Sequence, residues 1–397
     1  MNYLSQRVNQ LEESATIAMA RLSRELQEEG HDIISLSLGE PDFDTPKDIC
    51  EAAKEAIDKG FTHYPPISGF SDLRKAISEK FKRENNLDYK PEQIVVSTGA
   101  KQSIANVVFS LIDPGDEVII PAPYWVSYSQ IIQLAGGIPV FIPTSVETDF
   151  KPKISEIKAA ITPKTKLFIF SSPCNPSGTI FSKDELKAIA EVLHPHEKIW
   201  ILSDEIYEHI RFEAEHASIA QFDFIRDRVI IVNGVSKGYA MTGWRIGYMA
   251  ACTEVAKACD KMQGQFTSGA NSIAQKASLK ALSTDWQNYG YMREIFLKRR
   301  DLVLSLMAEI PGWKFNKPAG AFYIFPDVTS FFGKSHGEYK IQNGTDLCMY
   351  LLADAKVSMV TGEAFGDNNC IRLSFATSEE LLTEAMRRLK VSLAKLK

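Results

Sequence analysis

Lys237 follows the apolar run RVIIVNG (228–234), within VNGVSKGYAMTGWRIG (232–247), where Gly234, Ser236 and Gly238 surround it and Arg245 lies eight residues on. A lysine held at the end of a buried strand beside a second cation loses proton affinity and becomes a candidate nucleophile. Three other apolar runs end in polar residues of complementary type. QIVVS (93–97) leads into TGAKQ, with Gly99, Ala100 and Lys101. KLFIFSSP (166–173) leads into CNPSG, with Asn175 and Pro176, and KIWILSDE (198–205) carries Asp204, with Tyr207 close behind. Singly, these are a strand-to-helix turn, a tight turn, a helix cap and a solvated lysine. Ligands of open α/β sheets sit outside the carboxyl ends of the strands, and here four such ends offer backbone amides, an amide side chain, a carboxylate with a phenol, and an amine.

These residues need elements to position them. DEVIIP (116–121) and GIPVFIP (137–143) are two further apolar runs, and helical stretches separate the series, among them AKQSIANVVFSLI, a segment from Tyr124 to about Leu134, and SKDELKAIAEVL (182–193) with a serine cap. Continuous apolar strands between helices predict an α/β fold with a mainly parallel sheet covered on both faces, over residues of about 45–290. The tail changes rhythm: a long charged helix from Asp285, then AFYIFPD, VSMVTG, CIRLSFAT and a last amphipathic helix. This predicts a smaller α+β domain made of residues 1–44 and 291–397. The paired Arg299 and Arg300 read as a solvated helix face or an interdomain contact.

Composition narrows the function classes. In 397 residues, 45% apolar and 24% charged content is that of a folded soluble chain, and a net charge of −5 argues against nucleic-acid and anionic-membrane binding. No run of 18 apolar residues occurs, the N-terminus lacks the apolar stretch of a signal peptide, and six scattered cysteines without a CxxC pair fit a reducing cytoplasm. His194 and His196 in LHPHEK lack a third ligand nearby, so no metal is expected.

The chemistry that uses this kit is pyridoxal phosphate catalysis. The lysine forms a Schiff base with the cofactor aldehyde, and a carboxylate partner keeps the ring nitrogen protonated as an electron sink. Amides opening the helix after Thr98, with the fork of Arg245, suit the phosphate.

SDEIY, NPSG, SK followed by GWRIG, and IRLSFATS, together with GEPDFDTP (39–46) and DPGDEVIIPAPYWVSY (113–128), resemble fold type I, class I aminotransferases of the bacterial aspartate type, along nearly the whole chain. The resemblance implies a seven-stranded-type sheet and pyridoxal 5'-phosphate on Lys237, which then carries the proton between Cα and the cofactor. It implies that Asp204 pairs with the ring nitrogen, Tyr207 and Asn175 bond the ring oxygen, and Trp125 stacks on the ring. Gly99, Ala100, Ser236 and Arg245 would bind the phosphate. Tyr64 would reach the phosphate of a neighbouring subunit, making a homodimer with shared sites. Arg372 would clamp the substrate carboxylate with help from Asn175 and the Gly39 backbone, and Lys101 would take the distal carboxylate of L-aspartate, with 2-oxoglutarate as acceptor in a ping-pong reaction. The Asn175–Pro176 bond is often cis in this family. Some relatives that use prephenate carry a basic or small polar residue near position 12; Glu12 here predicts poor prephenate activity.

Other classes were weighed. GVSKG formally matches the G-x-S-x-G elbow of serine hydrolases, with Ser236 as nucleophile and His336 downstream, but that reading leaves Asp204, Tyr207 and Arg245 unexplained. A ligand sensor fused to a DNA-binding module would need an N-terminal winged helix, and only about 40 residues precede the predicted large domain. Within the fold, an aminotransferase for aromatic or other neutral amino acids, or a C–S lyase, is the alternative, and Lys101 argues for a dicarboxylate.

Overall fold

A computed structural model describes residues 3–11, 13–213 and 215–397. Glu12, on which the prephenate expectation rests, lies outside the described residues. The central sheet has seven strands: β1 (Ile94–Ser97), β2 (Glu117–Ala122), β3 (Ile138–Pro143), β4 (Thr165–Ser171), β5 (Trp200–Asp204), β6 (Val229–Gly234) and β7 (Gly247–Ala250). Their order is β1-β7-β6-β5-β4-β2-β3. All neighbours pair in parallel except β7, which runs antiparallel to both β1 and β6.

The continuous apolar runs are explained by two covered faces. Successive side chains point to opposite sides, so Phe168, Phe170, Ile201 and Ile231 enter one core while Leu167, Ile169, Leu202 and Ile230 enter the other. Each such side chain, fully buried, contributes roughly 1.5–3 kcal/mol before entropy is counted.

Five helices matter for the site: α1 (Ala15–Glu28), α2 (Ser71–Asn85), α3 (Ala100–Leu111), α4 (Lys183–Leu193) and α5 (Tyr291–Ala308). The serine cap expected on α4 is present: Ser182 Oγ accepts from the Glu185 amide, and the Glu185 carboxylate accepts from the Ser182 amide at 2.7 Å. The helix expected from Tyr124 starts only at Ser127, and the Tyr124 amide donates to the Phe365 carbonyl at 3.0 Å. Nor is the charged segment one long helix. A short 3₁₀ turn, Trp286–Tyr289, precedes α5, with Gly290 between them. Trp286 is drawn into the core, where its indole N–H donates to the Gly238 carbonyl at 3.1 Å.

The C-terminal residues form a small antiparallel sheet, β9-β10-β8, from β8 (Tyr323–Ile324), β9 (Val360–Thr361) and β10 (Ile371–Ser374). Ile34–Ser35 pairs in parallel with Val357–Ser358, so the N-terminal segment shares a core with the tail: Ile34 and Leu36 join Phe296, Leu373 and Leu389. Arg299 and Arg300 are not a solvated face. Arg299 makes a two-point bond to Asp42 at 2.6 and 2.8 Å; Arg300, 1% exposed, donates to the Pro318 carbonyl and to Glu213.

Candidate active site

The carboxyl ends of the parallel strands open into a cleft of about 270 Å³. Lys237 enters it from the turn after β6, its ammonium donating to the Gly39 carbonyl and lying 5.9 Å from the Tyr207 ring centroid and 5.8 Å from that of Phe322. Burial of the amine lowers its pKa to about 8; Arg372 and Arg245 push the same way, against Glu40 and Asp204. A free amine is therefore accessible near neutral pH.

Asp204, at the end of β5, is buried and held at both oxygens. Tyr128 Oη donates to Oδ2 at 2.7 Å and the Ile206 amide to Oδ1 at 3.2 Å. Burial raises its pKa from 3.8 to about 6, and the Tyr128 bond opposes the rise. Tyr207, brought in by the turn after β5, shares a 2.8 Å hydrogen bond with Tyr323 from β8.

At the opposite side, α3 begins right after Gly99, whose φ of 83° is a left-handed value that an L side chain resists. A β-carbon on Gly99 would collide with the Arg245 guanidinium, so helix start and fork enclose one concavity. Arg245 caps the 3₁₀ turn Thr242–Trp244 at φ 56°, a conformation costing a non-glycine residue about 1–2 kcal/mol, and its Nη1 donates to the Thr242 carbonyl at 2.8 Å. Gly247, the first residue of β7, leaves no room for a side chain against the Ala100 amide. Ser236 completes this wall of the cleft.

Arg372, on β10, is 1% exposed. Its Nη1 donates to Asn175 Oδ1 at 3.0 Å and its Nη2 to the Ser37 carbonyl at 2.7 Å, while Nε is buried without a partner. Its guanidinium lies 4.5 Å from the Tyr323 ring centroid. Asn175 precedes a cis peptide bond to Pro176. Lys101 stands in the first turn of α3 at the cleft mouth, 5.1 Å above Trp125; partial desolvation and Arg245 lower its pKa.

The cleft thus gathers Gly39, Ala100, Lys101, Trp125, Asn175, Asp204, Tyr207, Ser236, Lys237, Arg245 and Arg372, and Gly99 abuts it through Arg245. Tyr64 is absent from it: it is 93% exposed on the surface of this chain. Three contributions escape sequence reasoning. Tyr128 reads as an ordinary helix residue, Tyr323 as a strand residue in AFYIF, and Ser14, Thr16 and Ile17 belong to an N-terminal stretch with no strand end or motif. The hydrolase reading finds no support in the site: His336 lies on an exposed hairpin edge, 6.1 Å from Tyr350, and does not line the cleft. His194 and His196 are exposed, His194 edge-on to Phe224 at 5.2 Å.

Fold and site together define an α/β class of protein in which a lysine, a buried aspartate and an arginine-lined helix start share one cleft at the carboxyl ends of the strands. Residues 31–389 match the family model described as aminotransferase class I and II. The chain is 46% identical to the aspartate/prephenate aminotransferase of Cereibacter sphaeroides, with 98% of each chain covered. It superposes on the aspartate aminotransferase from Rhizobium meliloti with a TM-score of 0.96 at 41% identity, covering 100% of both chains. For the aspartate aminotransferase of Thermus thermophilus with maleate, the TM-score is 0.92 at 39% identity, with 99% and 100% covered. The protein belongs to the class I and II aminotransferase family.

Proposed function

We propose that the protein is a pyridoxal 5'-phosphate-dependent aspartate aminotransferase, converting L-aspartate and 2-oxoglutarate to oxaloacetate and L-glutamate. The observation that carries this reading is the convergence of Lys237, Asp204 and Arg372 on one cleft. The residues suit the cofactor: the concavity between Gly99 and Arg245 would be filled by a β-carbon and is cationic, as a phosphate requires, and Asp204 presents a buried carboxylate across from the amine.

When bound, pyridoxal phosphate supplies an electron sink for negative charge developing at the substrate Cα. Arg245, Ser236 and the amides opening α3 would hold its phosphate; Asp204 would pair with its ring nitrogen and Tyr207 and Asn175 with its ring oxygen, while Trp125 covers the ring. Lys237 holds and moves the Cα proton, a role suited to an amine whose pKa is about 8. Arg372 has Nε and one hydrogen on each terminal nitrogen left for the α-carboxylate. Lys101 takes the distal carboxylate of aspartate, in keeping with maleate, a dicarboxylate, in the Thermus thermophilus structure. Residues 1–44 and 291–397, which carry Gly39 and Arg372, act as the unit that closes over the substrate and excludes water. Tyr64 serves the site of a second subunit in a homodimer, which accounts for an aromatic side chain standing free of its own chain. Six unpaired cysteines support a cytoplasmic setting. Prephenate, named for the Cereibacter sphaeroides relative, is the second substrate to assay, because Glu12 is expected to repel its additional carboxylate.

The test is the near-visible spectrum of the purified protein before and after L-aspartate, without a keto acid. A cofactor band that aspartate bleaches supports the reading. A band bleached by L-phenylalanine or L-cystathionine but not by L-aspartate moves the substrate; no band after added pyridoxal phosphate refutes the cofactor.

A further inference from the structure

Beneath the turn that presents Asp204 and Tyr207 lies a charged network that no step above uses. Glu205 and Glu208 are buried and do not line the cleft. Lys80, from α2 and likewise buried, donates to Glu208 Oε1 and, at 2.9 Å, to Asn85 Oδ1; Asn85 donates to Glu208 Oε2 at 2.9 Å. Glu205 accepts from Ser218 at 2.6 Å, from Ser203 at 2.9 Å, and shares a 2.8 Å bond with His216. His209 bonds Glu84 at 2.9 Å and stacks on Trp286 with centroids 4.8 Å apart. The last contact reaches the other half of the site, because His209 lies where a Gly238 β-carbon would stand, 2.7 Å from its Nδ1, and Trp286 bonds the Gly238 carbonyl. Gly238 follows Lys237 directly.

Two Glu/His triples here have cation-ligand spacing, Glu84/Glu208/His209 and Glu205/Glu208/His216, but the Lys80 ammonium already sits against Glu208 and 3.7 Å from Glu84. Global stability does not explain the network either. Replacing a buried ion pair by apolar side chains of similar volume is often neutral or stabilising, whereas removing one partner is costly. What the network adds is directionality: hydrogen bonds to the Glu208 carboxylate fix the turn in one orientation.

We propose that Glu208, held by Lys80 and Asn85, is a positioning residue for cofactor binding: it sets the turn that presents Asp204 and Tyr207 and, through His209 and Trp286, the backbone behind Lys237. This rests on the cofactor reading above.

The test is the double variant Lys80→Met/Glu208→Met, which leaves no unpaired charge between the two positions. The expected result is a folded protein whose Tm falls by no more than the loss of the two Asn85 hydrogen bonds accounts for, a pyridoxal phosphate Kd raised about 10-fold (~1.4 kcal/mol), and weaker visible circular dichroism per bound cofactor. The kcat falls while KM for aspartate changes less than about 3-fold. Unchanged Kd and dichroism overturn the proposal. Should the double variant fail to fold, Glu208→Gln, which keeps the volume, decides: a Kd raised about 3-fold with weakened dichroism supports the proposal, and wild-type values overturn it. If wild-type protein itself shows no cofactor band, the cofactor reading fails and the inference with it; a normal wild-type band with unaltered variants sinks the inference alone.

Discussion

Tyr128→Phe removes one hydroxyl from the core and leaves the ring, so its effect falls on Asp204. Burial already lifts that carboxyl from 3.8 to about 6, so ionising it in the folded, cofactor-free chain costs about 3 kcal/mol relative to the unfolded chain. The Tyr128 bond to Oδ2, at 2.7 Å, is the largest influence opposing that rise. A hydrogen bond to a charged group contributes about 1.5–3 kcal/mol, so losing it should move proton uptake by Asp204 upward by about 1–2 pH units. The sign follows from which form suffers: the hydroxyl stabilises the carboxylate, and without it the carboxyl takes its proton at higher pH. A raised folded-state pKa means that the penalty is absent below about pH 4, grows as pH rises towards 6, and is complete above it. Tyr128→Phe should therefore lower the Tm of the cofactor-free protein more at pH 8 than at pH 4. The deciding assay is the stability difference between wild-type and variant apoprotein against pH: it should open above about pH 6 and reach the ~1.5–3 kcal/mol of the lost bond by about pH 8. A difference that is the same at pH 4 and pH 8 would refute the claim that Tyr128 holds Asp204 ionised.

Lys237→Ala should leave no steady-state turnover with any amino donor, measured by coupled assay; normal turnover would remove the amine from the mechanism. Lys101→Ala should cut kcat/KM for aspartate about 10–100-fold, the worth of a charge-assisted bond, and that for phenylalanine by less than about 3-fold. Equal losses would release Lys101 from the distal carboxylate. Gly99→Ala combines a left-handed φ of 83° with a β-carbon directed at Arg245 and should raise the pyridoxal phosphate Kd at least about 10-fold in an absorbance titration. An unaltered Kd would mean that the cradle does not hold the phosphate.

Much of this protein is legible in its sequence because strand pattern and strand ends are local. Six of the seven strands announce themselves as apolar runs; five of them are covered on both faces, whereas the edge strand β3 leaves Ile138 and Phe141 exposed in this chain, and the polar residues closing four of the runs meet in the cleft. Strand β7 is the exception: Gly247–Ala250 opens on a glycine and so offers only three side chains, and it fills the gap between β1 and β6, antiparallel to both. Arg299 and Arg300 look like a charged helix face, and only the arrival of Asp42 and of Glu213 from distant segments turns them inward.

The same division runs through the site. Lys237, Asp204, Asn175 and the turn at Gly99 were determined by the chain alone, because each follows directly from the strand that carries it. Tyr128 and Tyr323, the Ser14–Ile17 contribution, the spare Nε of Arg372 and the Lys80–Glu208 network were decided by tertiary structure. Their roles depend on partners far away in sequence: 76 residues separate Tyr128 from Asp204, and 128 separate Lys80 from Glu208. Periodicity reports which side of an element is apolar; which buried polar group faces which is settled only when the elements dock, because each must then find a partner or pay the cost of desolvation.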